Sequence, residues 1–306
     1  MSAGHTVFLV NPASAAGTTG KRWPEMAHRA AALGLEGDAL ISEGPGQLAT
    51  LAAEAVANGA ARLVAVGGDG TVNEVVNGLT PGANVELAVI PRGTGWDFVR
   101  TFDIPRNLDG AIDVALNGAV REIDLGVATY RTWAGDEARS TFANVASAGI
   151  SGAIARRANE SSKALGGKAS YYWATLSVFF GWQTGQMRVT VGDETRSGKM
   201  IDALVCNGRF LGGGMKMCPD AEPDDGLFDV LLIGDVTKRD LAFVLPKTYK
   251  GKHLPHPRLE LLRGGVVTVD ADEPLPIELD GEQPGTTPVR FEVLPRALRL
   301  RVPATS

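Results

Sequence analysis

Short apolar runs alternate with amphipathic stretches through the first 126 positions. Thr6–Val10, Asp38–Ile41, Leu63–Val66 and Glu86–Ile90 have strand character, and Arg22–Leu33, Gln47–Asn58 and Thr71–Leu79 read as helices. That alternation predicts a parallel sheet with helices on both faces. After Asp124 the texture changes to short β-rich runs at Thr141–Val145, Met187–Val191, Met200–Cys206, Phe228–Leu232, Val266–Val269, Ile277–Leu279 and Val289–Val293. These predict a β-sandwich as a second domain. The expected division is an α/β domain over 1–126 and a sandwich over 127–294, with no internal repeat.

The first-domain strands end in unusual loops. Val64–Val66 runs into Gly67-Gly68-Asp69-Gly70-Thr71, and a helical stretch follows. The fourth strand runs into Pro91-Arg92-Gly93-Thr94-Gly95-Trp96-Asp97-Phe98, and the first ends at Asn11-Pro12 before a small-residue loop. Glycines admit a bulky ligand close to the backbone. The unpaired N–H groups of a following helix favour an anion there. Open α/β sheets bind ligands outside their carboxyl edges. The loops therefore read as a nucleotide-phosphate site, with Asp69 pointing to a cation or an acceptor hydroxyl. Gly17-Thr18-Thr19-Gly20-Lys21-Arg22 resembles a Walker A loop, but Ala15 and Arg22 stand where that loop needs a glycine and a Ser or Thr.

Composition narrows the classes. The 306 residues suffice for two domains, and 44% hydrophobic with 21% charged predicts ordinary packed cores. A net charge of −5 argues against a general nucleic-acid binder. Cys206 and Cys218 lack zinc-site spacing and read as buried free thiols of a reducing compartment. No secretory signal is visible, and no apolar run reaches the roughly 18 residues a membrane span needs. A cytoplasmic protein is expected, at most peripheral on the inner membrane face.

Taken together, Asn11-Pro12, Gly67-Gly68-Asp69-Gly70-Thr71 with Glu74, and Pro91-x-Gly93-Thr94-Gly95-x-Asp97-Phe98 resemble the diacylglycerol kinase catalytic-domain family, which includes bacterial diacylglycerol kinases, sphingosine kinases and ceramide kinases. Asn207-Gly208, Gly212-Gly213-Gly214-Met215, Pro219-x-Ala221, Asp225-Gly226-Leu227-Phe228-Asp229 and Asp280-Gly281-Glu282 extend the match along nearly the whole chain. The resemblance implies a doubly wound N-terminal domain like that of phosphofructokinase and NAD kinase, a C-terminal β-sandwich for the lipid substrate, and an active site in the interdomain cleft. It also implies that the last strand, near Leu298–Val302, returns to the first domain.

The activity implied is ATP-dependent phosphorylation of a lipid alcohol, diacylglycerol or a sphingoid type, with Mg²⁺. In the family pattern Asn11, Ser42, Gly67, Gly68, Asp69, Gly70, Thr71 and Thr94 line the nucleotide. Ser42 reads equally well as a plain helix cap, and Glu74 faces either the metal or solvent. Asp280 is implied as general base with Glu282 close by; either carboxylate suits the role, and otherwise Asp-Gly is an ordinary turn signal. Asp280→Ala is expected to leave the fold intact. A structural Mg²⁺ is implied at the Asp225 carboxylate and the Glu222 and Leu227 carbonyls, water-linked to Asp69, where composition alone gives a solvated acidic loop. A second Mg²⁺ is implied with ATP.

The remaining features divide between surface and substrate. Tyr171, Tyr172, Trp173, Phe179, Phe180 and Trp182, preceded by Arg156, Arg157, Lys163 and Lys168, suit a transient membrane contact or a core helix. Lys247, Lys250 and Lys252 read as a solvated face, and His253 and His256 as surface histidines. Trp96 stands where the family usually has Asn, which points to altered specificity. The alternatives are an NAD kinase-like enzyme, which shares Gly-Gly-Asp-Gly-Thr, and a degenerate kinase that only binds nucleotide or lipid. The acceptor lipid and the oligomeric state, a homodimer included, stay open.

Overall fold

β1 (Thr6–Val10), β3 (Arg62–Gly67) and β4 (Glu86–Pro91) are almost wholly buried along their length. Such runs, apolar on both faces, are what a parallel sheet covered by helices requires. A computed structural model describes residues 5–165, 177–179 and 181–304, and within these the side chains of 158–165, 241 and 242 are not described. The aromatic run through Tyr171, Tyr172 and Trp173, Phe180, Lys168 and the Lys163 side chain therefore lie outside the described residues.

The chain divides into two units. One comprises the residues up to Ile123 together with those from Arg296 onward, and the other is Asp124–Pro295. In the first unit the strands run parallel in the order β2 (Asp38–Ile41), β1, β3, β4 and then the end of the last strand, where Arg299 and Leu300 pair with Glu86 and Leu87. α1 (Thr18–Ala32), α2 (Gln47–Ala57), α3 (Asp69–Asn77), α4 (Asp97–Thr101) and α5 (Leu108–Asn117) connect or flank them. Phe8, Val10, Val64, Val66, Ala88 and Ile90 point to one face and pack against Trp23, Met26 and Ala30 of α1 and Ala111 and Ile112 of α5. Their alternates Val7, Leu9, Leu63, Ala65 and Leu87 are also buried, on the side where α2 packs against β1 and α3. Two-face burial follows from strict alternation along each strand.

The last strand is held by charge as well as by its ladder. Glu86 accepts Arg301 at 2.7 Å and stands 3.5 Å from Arg62 and 3.7 Å from Arg299, while Arg301 also donates to the Gly118 carbonyl at 2.7 Å.

The second unit is built from antiparallel pairs. Its elements are β5 (Ala119–Thr132, entering from the first unit), β6 (Glu137–Phe142), β7 (Val145–Gly149), α6 (Ile150–Leu165), β8 (Gly185–Val191), β9 (Glu194–Cys206), β10 (Phe210–Leu211), β11 (Met215–Lys216), β12 (Phe228–Gly234), α7 (Lys238–Thr248), β13 (Leu259–Gly264), β14 (Val266–Ala271), β15 (Ile277–Leu279) and β16 (Gly285–Val302). β9 changes partners along its length. Glu194–Met200 pairs with β8, and Asp202–Cys206 lies between β7 and β12. One long strand thus serves both layers of a sandwich. Between the layers Phe142 stacks on Phe228 at 5.5 Å and meets Phe291 edge-on at 5.9 Å, all three fully buried.

The histidine expectation is corrected at one position. His253 is buried, its Nε2 3.0 Å from the Met217 carbonyl, and burial lowers its pKa. His256 lies 3.5 Å from Asp240. Cys206 and Cys218 are both buried and free.

Phe142 fills the centre of the sandwich, and its removal leaves a cavity that ring neighbours on two sides cannot close. Phe142→Ala is expected to cost about 3–5 kcal/mol, read as a lower urea midpoint at unchanged slope.

Candidate active site

The two glycine loops of the first unit touch each other. A Cβ on Gly93 would stand 2.7 Å from the Gly68 Cα, closer than side-chain carbons are found to backbone, and the Arg92 N–H donates to the Gly67 carbonyl at 2.6 Å. A Cβ on Gly67 would collide with the Thr71 side chain, and one on Gly95 would lie 2.6 Å from Asp69 Oδ2. These four glycines therefore allow the two loops to pack against each other. Gly70 is the one glycine of the first loop around which a Cβ meets nothing within 4 Å.

Asp69 joins the loops. Its Oδ1 accepts the Phe98 N–H at 3.0 Å, and the Asp97 and Trp96 amides also donate to this carboxylate. An acid at the start of a helix satisfies N–H groups that have no intrahelical partner. Burial pushes the Asp69 carboxyl above the usual range, against those amides and the nearby Arg100. Arg100 in turn donates to Asp97 Oδ1 at 2.6 Å and to the Gly95 carbonyl at 3.3 Å.

The other sequence-predicted residues of this unit separate into two groups. Asn11 belongs to the loop cluster: its Nδ2 donates to Thr71 Oγ1 at 3.0 Å, linking the end of β1 to α3. Thr94 is exposed in the second loop. Ser42 and Glu74 do structural work instead. Ser42 Oγ donates to the Gly44 carbonyl at 2.8 Å, while the α2 N-cap is Gly46, so Ser42 shapes the approach to that helix without capping it. Glu74 Oε2 accepts the Leu48 N–H at 3.3 Å in the first turn of α2.

Arg92 was given no role by sequence reasoning, and Trp96 only a change of specificity. Arg92 reaches Thr18 Oγ1 at 3.3 Å at the start of α1, and its buried Nε has no partner among the described residues. A lone cation inside a glycine loop was the available signal. Trp96 adopts the left-handed conformation (φ 59°) that an Asn tolerates more readily, with Arg106 lying 4.7 Å over its ring.

In the second unit Asp280 sits at φ 50° after β15 and accepts three backbone N–H groups, from Ala143 at 2.7 Å, Asn144 at 3.0 Å and Val145 at 2.9 Å. Three of the four lone-pair positions of this carboxylate are thereby occupied. The expectation that Asp280→Ala leaves the fold intact is corrected: alanine strands three amide donors, each costing about 1–3 kcal/mol where it is buried. Glu282 is exposed one residue beyond the turn. Sequence reasoning missed Glu278, two residues before Asp280. It is buried, its Oε1 accepts the Gly281 N–H at 2.5 Å, and Ser147 Oγ donates to its Oε2 at 3.2 Å. Its apolar-looking strand context hid it.

The implied cation site is not assembled as expected. Arg263 forms an ion pair with the Asp225 carboxylate, and its Nε lies 3.5 Å from Asp229. The Glu222 carbonyl accepts the Asp225 N–H at 3.4 Å, and the Leu227 N–H donates back to Asp225 Oδ1 at 3.0 Å. Among the described residues no three His, Cys, Asp or Glu side chains converge on a point. The Asp225 carboxylate expected to bind Mg²⁺ is here paired with the Arg263 guanidinium.

Comparison with known proteins follows this geometry. Residues 5–128 match the diacylglycerol kinase catalytic domain, and residues 144–302 match the YegS C-terminal NAD kinase beta sandwich-like domain. The chain is 34% identical over 254 residues to a probable YegS-like lipid kinase of Pseudomonas aeruginosa, covering 83% of this chain and 80% of that one. The chain belongs to the diacylglycerol kinase family of lipid kinases. It is also 26% identical to a diacylglycerol kinase of Staphylococcus saprophyticus, over 97% of this chain and 94% of the relative. In fold it is similar to a putative diacylglycerol kinase from Bacillus anthracis (TM-score 0.79, 22% identity, 99% and 98% covered) and, more distantly, to yeast NADH kinase (TM-score 0.53, 10% identity, 99% and 84% covered).

The kinase also has an apolar cavity of about 100 Å³ within its second unit. Ile150, Ile154, Ile201, Met217, Ile233 and Leu245 are among its walls, with the buried Asp202 at its lining. Asp202 accepts the Ser151 hydroxyl and N–H at the start of α6, and its Oδ1 has no hydrogen-bond partner among the described residues. No helix among the described residues is long and apolar enough to cross a membrane.

The contact of the kinase's two loops is testable at its closest point. Gly93→Ala is expected to weaken ATP binding by about tenfold or more, some 1.4 kcal/mol, in titration calorimetry. Gly70→Ala, whose Cβ meets no protein atom within 4 Å, should leave the melting temperature within error of the parent while also weakening ATP binding.

Proposed function

We propose that this kinase transfers the γ-phosphoryl group of ATP to the hydroxyl of a lipid alcohol. The observation that carries the reading is the pair of glycine loops pressed together at the carboxyl ends of β3 and β4, with Gly70 open beside them. Phosphoryl transfer needs little covalent chemistry from the protein; it needs positioning and charge. The start of α3, whose N-cap Gly68 offers no side-chain cap, favours an anion. Arg92, with an unpartnered Nε, supports a phosphate contact. In this reading Gly67, Gly68, Gly70, Thr71, Asn11 and Thr94 surround the phosphates, with Asp69 holding the second loop in place.

The acceptor's proton is taken by the Asp280–Glu282 turn of the second unit. Asp280 is anchored by three amides and Glu282 is exposed, so one residue is fixed and the other reaches outward. The apolar cavity supports an acyl or alkyl chain as the part of the substrate held in this unit. Diacylglycerol and sphingoid bases both meet that description. Such a substrate is taken from a bilayer, which makes contact with a membrane surface part of the proposal. Mg²⁺ enters with the nucleotide.

The test incubates the protein with radiolabelled ATP and a mixed-lipid extract, with and without Mg²⁺, and identifies the labelled product. A labelled phospholipid is expected. Labelled NADP from added NAD with no labelled lipid would favour the NAD kinase-like alternative, and ATP binding without any product a non-catalytic one. Asp280→Asn and Glu282→Gln then locate the base: loss of the proton acceptor should lower kcat by about 10²–10⁴-fold while ATP binding is retained.

A further inference from the structure

Two buried acids lie on one face of β7. Glu278 of β15 pairs opposite Ser147, and Asp202 of β9 pairs opposite Gly149, two residues along the same strand. Residues two apart on a strand share a face. Gly149 makes room for the second acid, because a Cβ there would stand 2.9 Å from Asp202 Oδ1. Neither carboxyl has an ion pair among the described residues. Ser147 of β7, Ser151 of α6, the Ala203 N–H of β9, and the Gly281 N–H and Asp280 carboxylate of the turn after β15 are the polar groups that face them.

Each acid fastens a different element. Glu278 accepts the Gly281 N–H and so closes the turn that carries Asp280, where Asp280 at φ 50° and Gly281 at φ 94° are both left-handed. Such a turn persists only if its surroundings over-determine it. Asp202 holds the first turn of α6, the helix that contributes Ile150 and Ile154 to the cavity.

We propose that Glu278 and Asp202 act as one buried acid pair that positions the Asp280–Glu282 turn, and that loss of the pair's last proton releases the turn and ends turnover. This rests on the reading that the turn supplies the base. The physical reason is charge. The Asp280 side chain disfavours a negative charge on Glu278, and the apolar layer they share holds no counter-ion among the described residues. Burial raises Glu278 to about 8, helped by Asp280 and Asp202, and raises Asp202 to about 7. Glu278 and Asp202 are positioning residues; neither touches ATP or the lipid hydroxyl.

The two acids predict opposite shifts. Lipid phosphorylation is measured from pH 6 to 10 with labelled ATP and the mixed-lipid extract, on the full-length protein. The parent should lose activity above about pH 8, where Glu278 ionises. Glu278→Gln keeps an acceptor for Gly281 and cannot ionise, so it should stay within about threefold of the parent kcat at pH 7 and lose the alkaline decline. Asp202→Asn removes a negative neighbour, lets Glu278 ionise earlier, and should move the decline to lower pH. Two profiles that both follow the parent would overturn the proposal.

Thermal unfolding gives a readout independent of substrate. Glu278 is held protonated in the folded state and ionises near 4.5 when unfolded, so the parent loses stability as pH rises from about 4.5 to 8. Glu278→Gln should therefore gain melting temperature over the parent at pH 8.5 but not at pH 5; a constant difference at both would also overturn it. If that variant fails to fold, Asp202→Asn against the parent carries the same test. Inactive Asp280→Asn and Glu282→Gln beside a parent-like Glu278→Gln profile defeats the positioning role alone. Full activity in both turn variants defeats the base reading itself.

Discussion

The Asp69 carboxylate is the interaction on which the first unit's loop geometry depends. It begins α3 yet spends its oxygens on the amides that begin α4. One acid thus settles two helix starts and fixes the spacing of two strand exits. The glycines around it follow from that arrangement. Gly68 and Gly93 meet backbone to backbone, and Gly95 yields to the carboxylate. Remove the acid and three buried amides lose their acceptor, a larger loss than most single surface contacts.

The second unit repeats the device with different parts. Asp280 takes three successive amides where β6 passes into β7, and Asp202 takes the first turn of α6. Asp124 does the same for Gly226 at 2.7 Å in the acidic loop. In each case a carboxylate replaces a missing ladder or helical bond at a place where the chain must turn sharply. The acids that a motif search marks as chemical are therefore also fasteners, and the two roles act on the same atoms.

Much of the fold was legible in the sequence because strand burial writes itself as apolar runs. Thr6–Val10, Asp38–Ile41 and Ile277–Leu279 match the observed strands residue for residue, and the helices after the first two strands differ only at their ends. α1 begins four residues before the pattern suggests, since Thr18 to Lys21 are polar and the turn of Ala15, Ala16 and Gly17 in left-handed conformation has no sequence mark. β5 and β6 were invisible as elements because their exposed, charged ends break the period-two signal. At the candidate site, motif spacing located the loops and the acidic turn but not what each residue binds. Ser42, Glu74 and Asp225 read as ligands in a linear pattern. Their actual partners, Gly44, Leu48 and Arg263, come from contacts that spacing does not encode. Glu278 and His253 went unnoticed or misplaced for the converse reason: burial of a polar side chain leaves no periodic trace.

The clamp at Glu86 has a consequence for synthesis. Its partner Arg301 lies 215 positions later in the chain, so the flank of β4 stays open until that distant segment has been made. Until then the nascent protein exposes an unpaired hydrophobic strand edge, the kind of surface that invites association with other chains. The long separation of this pairing along the chain makes that edge a place where chaperones act during translation.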